Sequence, residues 1–389
     1  MFKISKWFNN YQAPSVLMID DLSDVYIDVY DREYKNDWGY LCDSDQSAYS
    51  YLQNSLLKNF PQIKVTFFTP YARHNVPNEN SKYKIKKYAL GERDEYAKFL
   101  TKLVKEHKHE IAHHGSNHGE YIDPKNVSTA NNFKHEWELF ESVKSGVDIT
   151  LEGVKRFKDI CDITISGGKF CGYKMRENSM EIIDECNFLY WSDRINFIEK
   201  DYEAHFFGKN RVISFPTNFS SNEFVRLSYM SGHPQRDKKK KILKYFQPLY
   251  SLIAYYNLFN LYKNGHIISI QTHISPSTAL GTVQALNIVT DISSLTKIYN
   301  FLAKKSIWYA TCHDIAKYFY VRENSKLSIY DNKLEIEFNN HKNYTDTTIS
   351  IVHDKPFKLN DISSKQNNNL EVINLEIKNG INSLRLSYI

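Results

Sequence analysis

The chain has 389 residues, 42% hydrophobic and 24% charged, a composition that suits a soluble globular protein with enough material for one large domain and a small one. Its 50 basic and 45 acidic residues leave a formal charge of only +5, too slight a surplus for a nucleic-acid binder of this size. The five cysteines are odd in number and form no C-x-x-C pair, so neither a disulfide framework nor a cysteine zinc site is expected.

The first ten residues lack the apolar core and small-residue cleavage site of a signal peptide, and no stretch has about twenty consecutive apolar residues. A cytoplasmic location is therefore expected. Peripheral membrane contact stays open through the basic run Arg236-Asp-Lys-Lys-Lys-Lys241, whose plainer reading is a solvated helix start.

Taken in order, β-prone runs alternate with segments of helical period. The strands fall at 15–19, 63–68, 109–112, 162–166, 187–191, 211–215, 267–271 and 307–311. The helices fall at 47–59, 92–107, 131–158 with a break near Gly146, 177–185, 239–263 and 292–305. This alternation predicts parallel β/α units. Polar groups follow many of the strands: Asp20-Asp21 the first, His114 and His118 the third, Gly167-Gly168-Lys169 the fourth, Ser192-Asp193 the fifth and Thr272-His273 the seventh. A barrel gathers the C-terminal ends of all its strands on one face, whereas an open doubly wound sheet gathers its site at one or two, so a distorted (β/α) barrel of seven or eight strands is expected. From about residue 323 the texture changes to short alternating segments separated by Asp331-Asn332, Asn339-Asn340 and Asn379-Gly380. The predicted division is a barrel over 1–322 and a small β-sandwich over 323–389.

The chemistry centres on Glu110-Ile-Ala-His-His-Gly-Ser-Asn-His118. His114 and His118 can share a divalent metal, and one carboxylate of the Asp20-Asp21 pair completes a two-histidine, one-carboxylate site while the other stays free as a base. His113 lies off the four-residue spacing and is expected to be structural. Two loop-like segments, Asp37-Trp-Gly-Tyr40 and Tyr71-Ala-Arg-His74, are candidates for shaping a pocket, with ordinary loop packing slightly favoured.

With these residues in view, the sequence resembles the polysaccharide deacetylase family of carbohydrate esterases over roughly residues 14–315. Ile19-Asp20-Asp21 and the His-x-x-x-His stretch look like its first two motifs. Gly168-Lys169-Phe-Cys171-Gly172-Tyr173, Tyr190-Trp191-Ser-Asp193 and Ile270-Gln-Thr-His273 stand where the later three belong. The resemblance implies one divalent ion, most simply Zn2+, on Asp21, His114 and His118, with Asp20 as general base and His273 as general acid. It further implies Asp193 as the partner orienting His273, an oxyanion donor at the backbone of Gly172 or Tyr173, and Trp191 beside the acetyl methyl. Lys169 stands where the family usually has arginine, Cys171 replaces a common proline, and Asp21 and His114 are 93 positions apart, which implies an insertion near the site.

The implied activity is metal-dependent removal of an N-acetyl group from an amino sugar in a glycan or a glycan precursor, such as one used in surface-polysaccharide biosynthesis. The alternatives are hydrolysis of an O-acetyl ester or another linear amide at the same site, and a non-catalytic carbohydrate-binding barrel. The composition gives no oligomeric state.

Overall fold

The β-prone runs become strands of one curled sheet in the computed structural model of the chain, which describes residues 1–28, 37–75, 83–123, 132–194, 203–227, 245–274 and 286–388. The barrel strands are β1 (Ala13–Asp20), β2 (Val65–Thr69), β3 (Glu110–His113), β4 (Gly167–Lys169), β5 (Tyr190–Ser192), β6 (Val212–Ser214), β7 (Phe219–Ser220), β8 (Ile268–His273) and β9 (Ile307–Tyr309). Their order is β6-β5-β4-β3-β2-β1-β8-β7, every pairing is parallel, and β9 joins the start of β1. His205–Phe207 adds an antiparallel edge beside β6. The outermost parallel strands, β6 and β7, are linked by residues 215–218. The sheet thus curls into the expected mixed α/β barrel.

β1 is buried along its whole length because both faces of a parallel sheet are covered. Alternation divides its side chains. Leu17 and Ile19 pack outward with Phe67 and Ile111 under the helices, while Val16 and Met18 face inward with Phe68, Tyr190 and Ile213. The helices are α1 (Ala48–Leu52, running on into a π-turn over Gln53–Leu57), α2 (Asp94–Lys105), α3 (Val143–Cys161), α4 (Ser179–Glu185), α5 (Gln247–Lys263), α6 (Ile288–Leu302) and α7 (Cys312–Glu323).

Three sequence expectations shift. The strand expected at 162–166 forms instead at Gly167–Lys169, where glycine is a steric requirement: a Cβ on Gly168 would stand 2.4 Å from the Trp191 ring and 2.5 Å from the His113 carbonyl oxygen. The helix expected from 131 begins only at Val143, capped by Ser142, and runs unbroken past Gly146; the residues before it form a hairpin, Gly119–Tyr121 with Phe133–His135, and a short turn. α5 is observed from Gln247. The basic run at 236–241 lies outside the described residues.

The C-terminal strands form two facing sheets. Ser325–Tyr330, Lys333–Phe338, Gly380–Tyr388, Phe357–Leu359 and Ile362–Ser363 make one; Lys3–Ile4, Thr347–His353, Leu370–Ile377 and Lys365–Asn367 make the other. The chain's start therefore belongs to the sandwich, Lys3 pairing with Val352. Nor is the sandwich a separate core. α7, unanticipated from sequence, packs Ile315, Ala316, Phe319 and Tyr320 into one apolar cluster with Met18, Phe68 and Ile213 of the barrel interior and Ile336, Ile349 and Phe357 of the sandwich. Among the described residues no helix is long and apolar enough to cross a membrane, although α5 exposes Leu249, Leu252, Ile253 and Tyr256.

Candidate metal and catalytic site

β1 ends at Asp20 and the chain turns sharply, with Asp21 at φ 69, which presents two successive carboxylates at one barrel mouth. From β3, His114 follows directly, and a loop through Gly115 brings His118 back at φ 74. The histidine pair therefore meets through a loop rather than a helix face. Glu136 secures this loop, its Oε2 accepting from the Ser116 N–H at 2.6 Å and the Asn117 N–H at 3.3 Å. Burial pushes the Glu136 carboxyl up to about 7.

Asp21, His114 and His118 are all buried, and Asp21 Oδ1 lies 3.4 Å from Nε2 of each histidine. His114 Nδ1 donates to the Lys169 carbonyl at 3.1 Å, so in the neutral ring the lone pair is on Nε2, 3.4 Å from a carboxylate oxygen. Two lone pairs facing each other in a buried site call for a cation between them. Ligand bonds of about 2.1 Å in tetrahedral array place donors roughly 3.4 Å apart, which is the spacing seen from Asp21 Oδ1 to each histidine. Asp21 Oδ1 has no hydrogen-bond partner among the described residues. The donor set fits a divalent ion. Burial opposes ionisation of Asp21, but contact with His114 and the nearby His118, His273 and His74 imidazoles hold its carboxyl well below the usual range. Burial likewise pushes His118 well down, so its imidazole is neutral at pH 7.

Asp20 faces inward beside this trio. Lys169 Nζ donates to its Oδ1 at 2.6 Å and Gln271 Nε2 to its Oδ2 at 3.1 Å. Lys169 is 0% exposed and lies over the Phe68 ring at 4.3 Å. Burial works against its ammonium, but the Asp20 carboxylate and Tyr173 raise it above its ordinary value. The network continues through the Tyr173 hydroxyl, which contacts Gln271 Oε1 at 3.0 Å and Thr217 Oγ1 at 2.9 Å, and on to Ser192. Gln271 had no sequence signal beyond its place two residues before His273.

His273 pairs in register with Asp20 across β8 and β1, which puts both side chains on one face. Its Nδ1 donates to the Leu286 carbonyl at 2.6 Å, which leaves Nε2 outside that bond. The structure does not bring Asp193 to it. The Asp193 carboxylate accepts from Ser214 Oγ at 2.7 Å and pairs with Arg194 at 3.5 Å. Trp191 is also turned away. On β5, Tyr190 and Ser192 point inward, so Trp191 points outward and packs against His113, Trp137, Phe170 and Phe188. His113 lies in that same outer layer, as expected of a structural residue.

Gly172 takes φ 56, and a Cβ there would stand 2.6 Å from the His135 ring. The Tyr173 N–H is engaged by the Phe170 carbonyl at 3.1 Å, which leaves Gly172 as the candidate backbone donor of the two. Cys171 gives its thiol proton to the His114 carbonyl, and burial raises its pKa well above the ordinary value, so it stays a thiol. Of the two loop segments, Asp37 is a structural anchor accepting from the Leu41 and Ala48 N–H groups, whereas the other delivers His74 into the site. One ligand atom from each of Asp21, His74 and His118 lies within 4.8 Å of the others, as holds for His114, His118 and Cys171.

No protein-family model matches the sequence, and no curated protein matches it. Solved structures similar to the chain include two assigned as polysaccharide deacetylases. The one from Mycobacterium smegmatis is 13% identical, with 84% of this chain and 97% of that chain covered, at a TM-score of 0.45. The one from Pseudomonas aeruginosa PAO1 is 11% identical, covering 81% and 93%, at 0.46. A third, the peptidoglycan N-acetylglucosamine deacetylase Bc1960, is 10% identical, covering 79% and 88%, at 0.37.

Proposed function

We propose that this protein is a metal-dependent hydrolase that removes an N-acetyl group from an amino sugar in a glycan or glycan precursor. The observation that carries the reading is the buried Asp21, His114 and His118 trio beside an Asp20 whose two oxygens are held by Lys169 and Gln271. When bound, the divalent ion supplies polarisation of the carbonyl and a water of lowered pKa. Asp20 accepts the proton of the water that attacks the acetyl carbon. Lys169 and Gln271 fix both Asp20 oxygens, so the base enters the reaction already oriented.

The Gly172 N–H donates to the oxygen on which charge develops. His273 acts as the imidazolium: with its Nδ1–H held by the Leu286 carbonyl, it gives the Nε2 proton to the leaving amine and is left neutral. Orientation of the imidazole thus falls to a backbone carbonyl and not to Asp193. Trp191 supports β4 through Gly168 rather than touching substrate.

The test is acetate release, followed by mass spectrometry, from a panel of N-acetylated and O-acetylated sugars with metal-loaded protein. Loss of acetate from the N-acetyl sugars is expected. Release from esters alone would sink the amide reading, and no release from any sugar, with metal bound, would leave only a binding role.

A further inference from the structure

Outside the trio, the buried group with the most to explain is His74. It comes from the loop after β2, 53 positions beyond Asp21 in sequence, and is 1% exposed. Its Nδ1 lies 2.9 Å from Ser23 Oγ. Ser23 has one hydroxyl proton and gives it to the Asp21 carbonyl oxygen, also at 2.9 Å, so at His74 it can only accept. His74 is therefore protonated on Nδ1 and bare on Nε2. That Nε2 is buried without a hydrogen-bond partner among the described residues, a costly state for a polar atom.

The ring stands beside the site rather than away from it. Its centroid is 4.7 Å from that of His118, closer than the 5.4 Å between His114 and His118, and Trp38 packs edge-on against its other side at 5.1 Å. The same Ser23 hydroxyl meets His74 Nδ1 and the Asp21 backbone carbonyl, so one group sets the tautomer of the imidazole and steadies the backbone that carries Asp21. A ligating histidine is ordinarily oriented by a hydrogen bond at its other nitrogen, and the Ser23 contact is such a bond.

We propose that His74 is a fourth protein ligand, its Nε2 binding the same divalent ion as Asp21, His114 and His118, to give a centre of three imidazoles and one carboxylate. The inference rests on the metal site proposed above. A zinc centre with four protein ligands must expand to five to take a water or a carbonyl, so the set favours an ion that tolerates five positions. Cys171 stays out of the set because its proton is committed to the His114 carbonyl.

The test is X-ray absorption at the metal edge of the full chain loaded with Zn2+ or Co2+, together with the Kd from chelator competition. Three imidazoles are expected in the wild type and two in His74→Ala. Outer partners of a ligand cost 10- to 100-fold in affinity, so loss of the ligand itself should raise Kd by about a hundredfold or more, with partial rescue by added imidazole. Ser23→Ala keeps the ring but frees its tautomer, and should raise Kd about tenfold with three imidazoles retained. Two imidazoles in the loaded wild type would overturn the role of His74 and leave the three-residue centre standing; this reading needs no variant to fold. A wild type that binds neither ion would overturn the centre itself.

Discussion

Replacing Lys169 by methionine removes the cation from a fully buried pair in which Nζ sits 2.6 Å from Asp20 Oδ1. The methionine fills much of the same volume between Phe68 and Tyr173, so the change is chiefly electrostatic. Stripping one partner from a buried ion pair costs about 3–5 kcal/mol because the other charge stays desolvated. Asp20→Asn should cost about as much, since it strands the Lys169 ammonium. The double variant removes both charges at once and should cost several kcal/mol less than the two single costs added together. Urea denaturation of the four proteins at pH 7, with unchanged m values, measures this directly. With a domain stability of about 5–15 kcal/mol, the single variants stay measurable. Costs that add to within about 0.5 kcal/mol would refute the coupling. Because Asp20→Asn is destabilising by this argument, any loss of its activity must be measured well below its melting temperature.

Three further outcomes follow. His273→Gln should lower kcat about 10²-fold or more while leaving the metal Kd within about twofold, read by steady-state kinetics and chelator competition; a large change in Kd would make His273 a metal-site residue instead. Glu110 is pushed up to about 7 by burial, against bonds from the His313 N–H, Thr66 and Tyr190 that favour its charge. The folded state holds its proton between the ordinary 4.5 and about 7 while the unfolded chain releases it, so this residue makes stability fall as pH rises through that window. Glu110→Gln should therefore gain on the wild type by up to about 3 kcal/mol between pH 4.5 and 7, in paired denaturation curves. Gly168→Ala should cost about 1–3 kcal/mol and displace the Trp191 ring, visible as a change in near-ultraviolet dichroism; an unaltered melting curve would contradict the close approach of β4 and β5.

The parallel strands were legible because each is an apolar run long enough to be buried on both faces. β4 was not. Residues 162–166 have the stronger β-propensity, yet the partner rings of Tyr190 and Trp191 leave room only for glycine, and that demand comes from a neighbouring strand. The start of α3 was misplaced because Glu136-Trp-Glu-Leu139 has helical spacing, while Glu136 is held by the loop of His118. At the site, His114, His118 and the two aspartates announce themselves by type and spacing. Trp191 and Asp193 did not yield to the same reasoning, because which face a strand residue takes depends on a register that sequence spacing does not reveal. His74, Gln271 and the Leu286 carbonyl reach the site through tertiary topology alone.

α7 ties the barrel interior to the sandwich, and among the described residues the strand Lys3–Ile4 is paired by residues 351 and 352 alone. On the ribosome, Lys3–Ile4 must wait for residues 351 and 352, and the inner surface of the barrel stays uncovered until about residue 320 has emerged. Completion of the core is thus governed by contacts of very large sequence separation, which slow folding and lengthen the exposure of apolar surface.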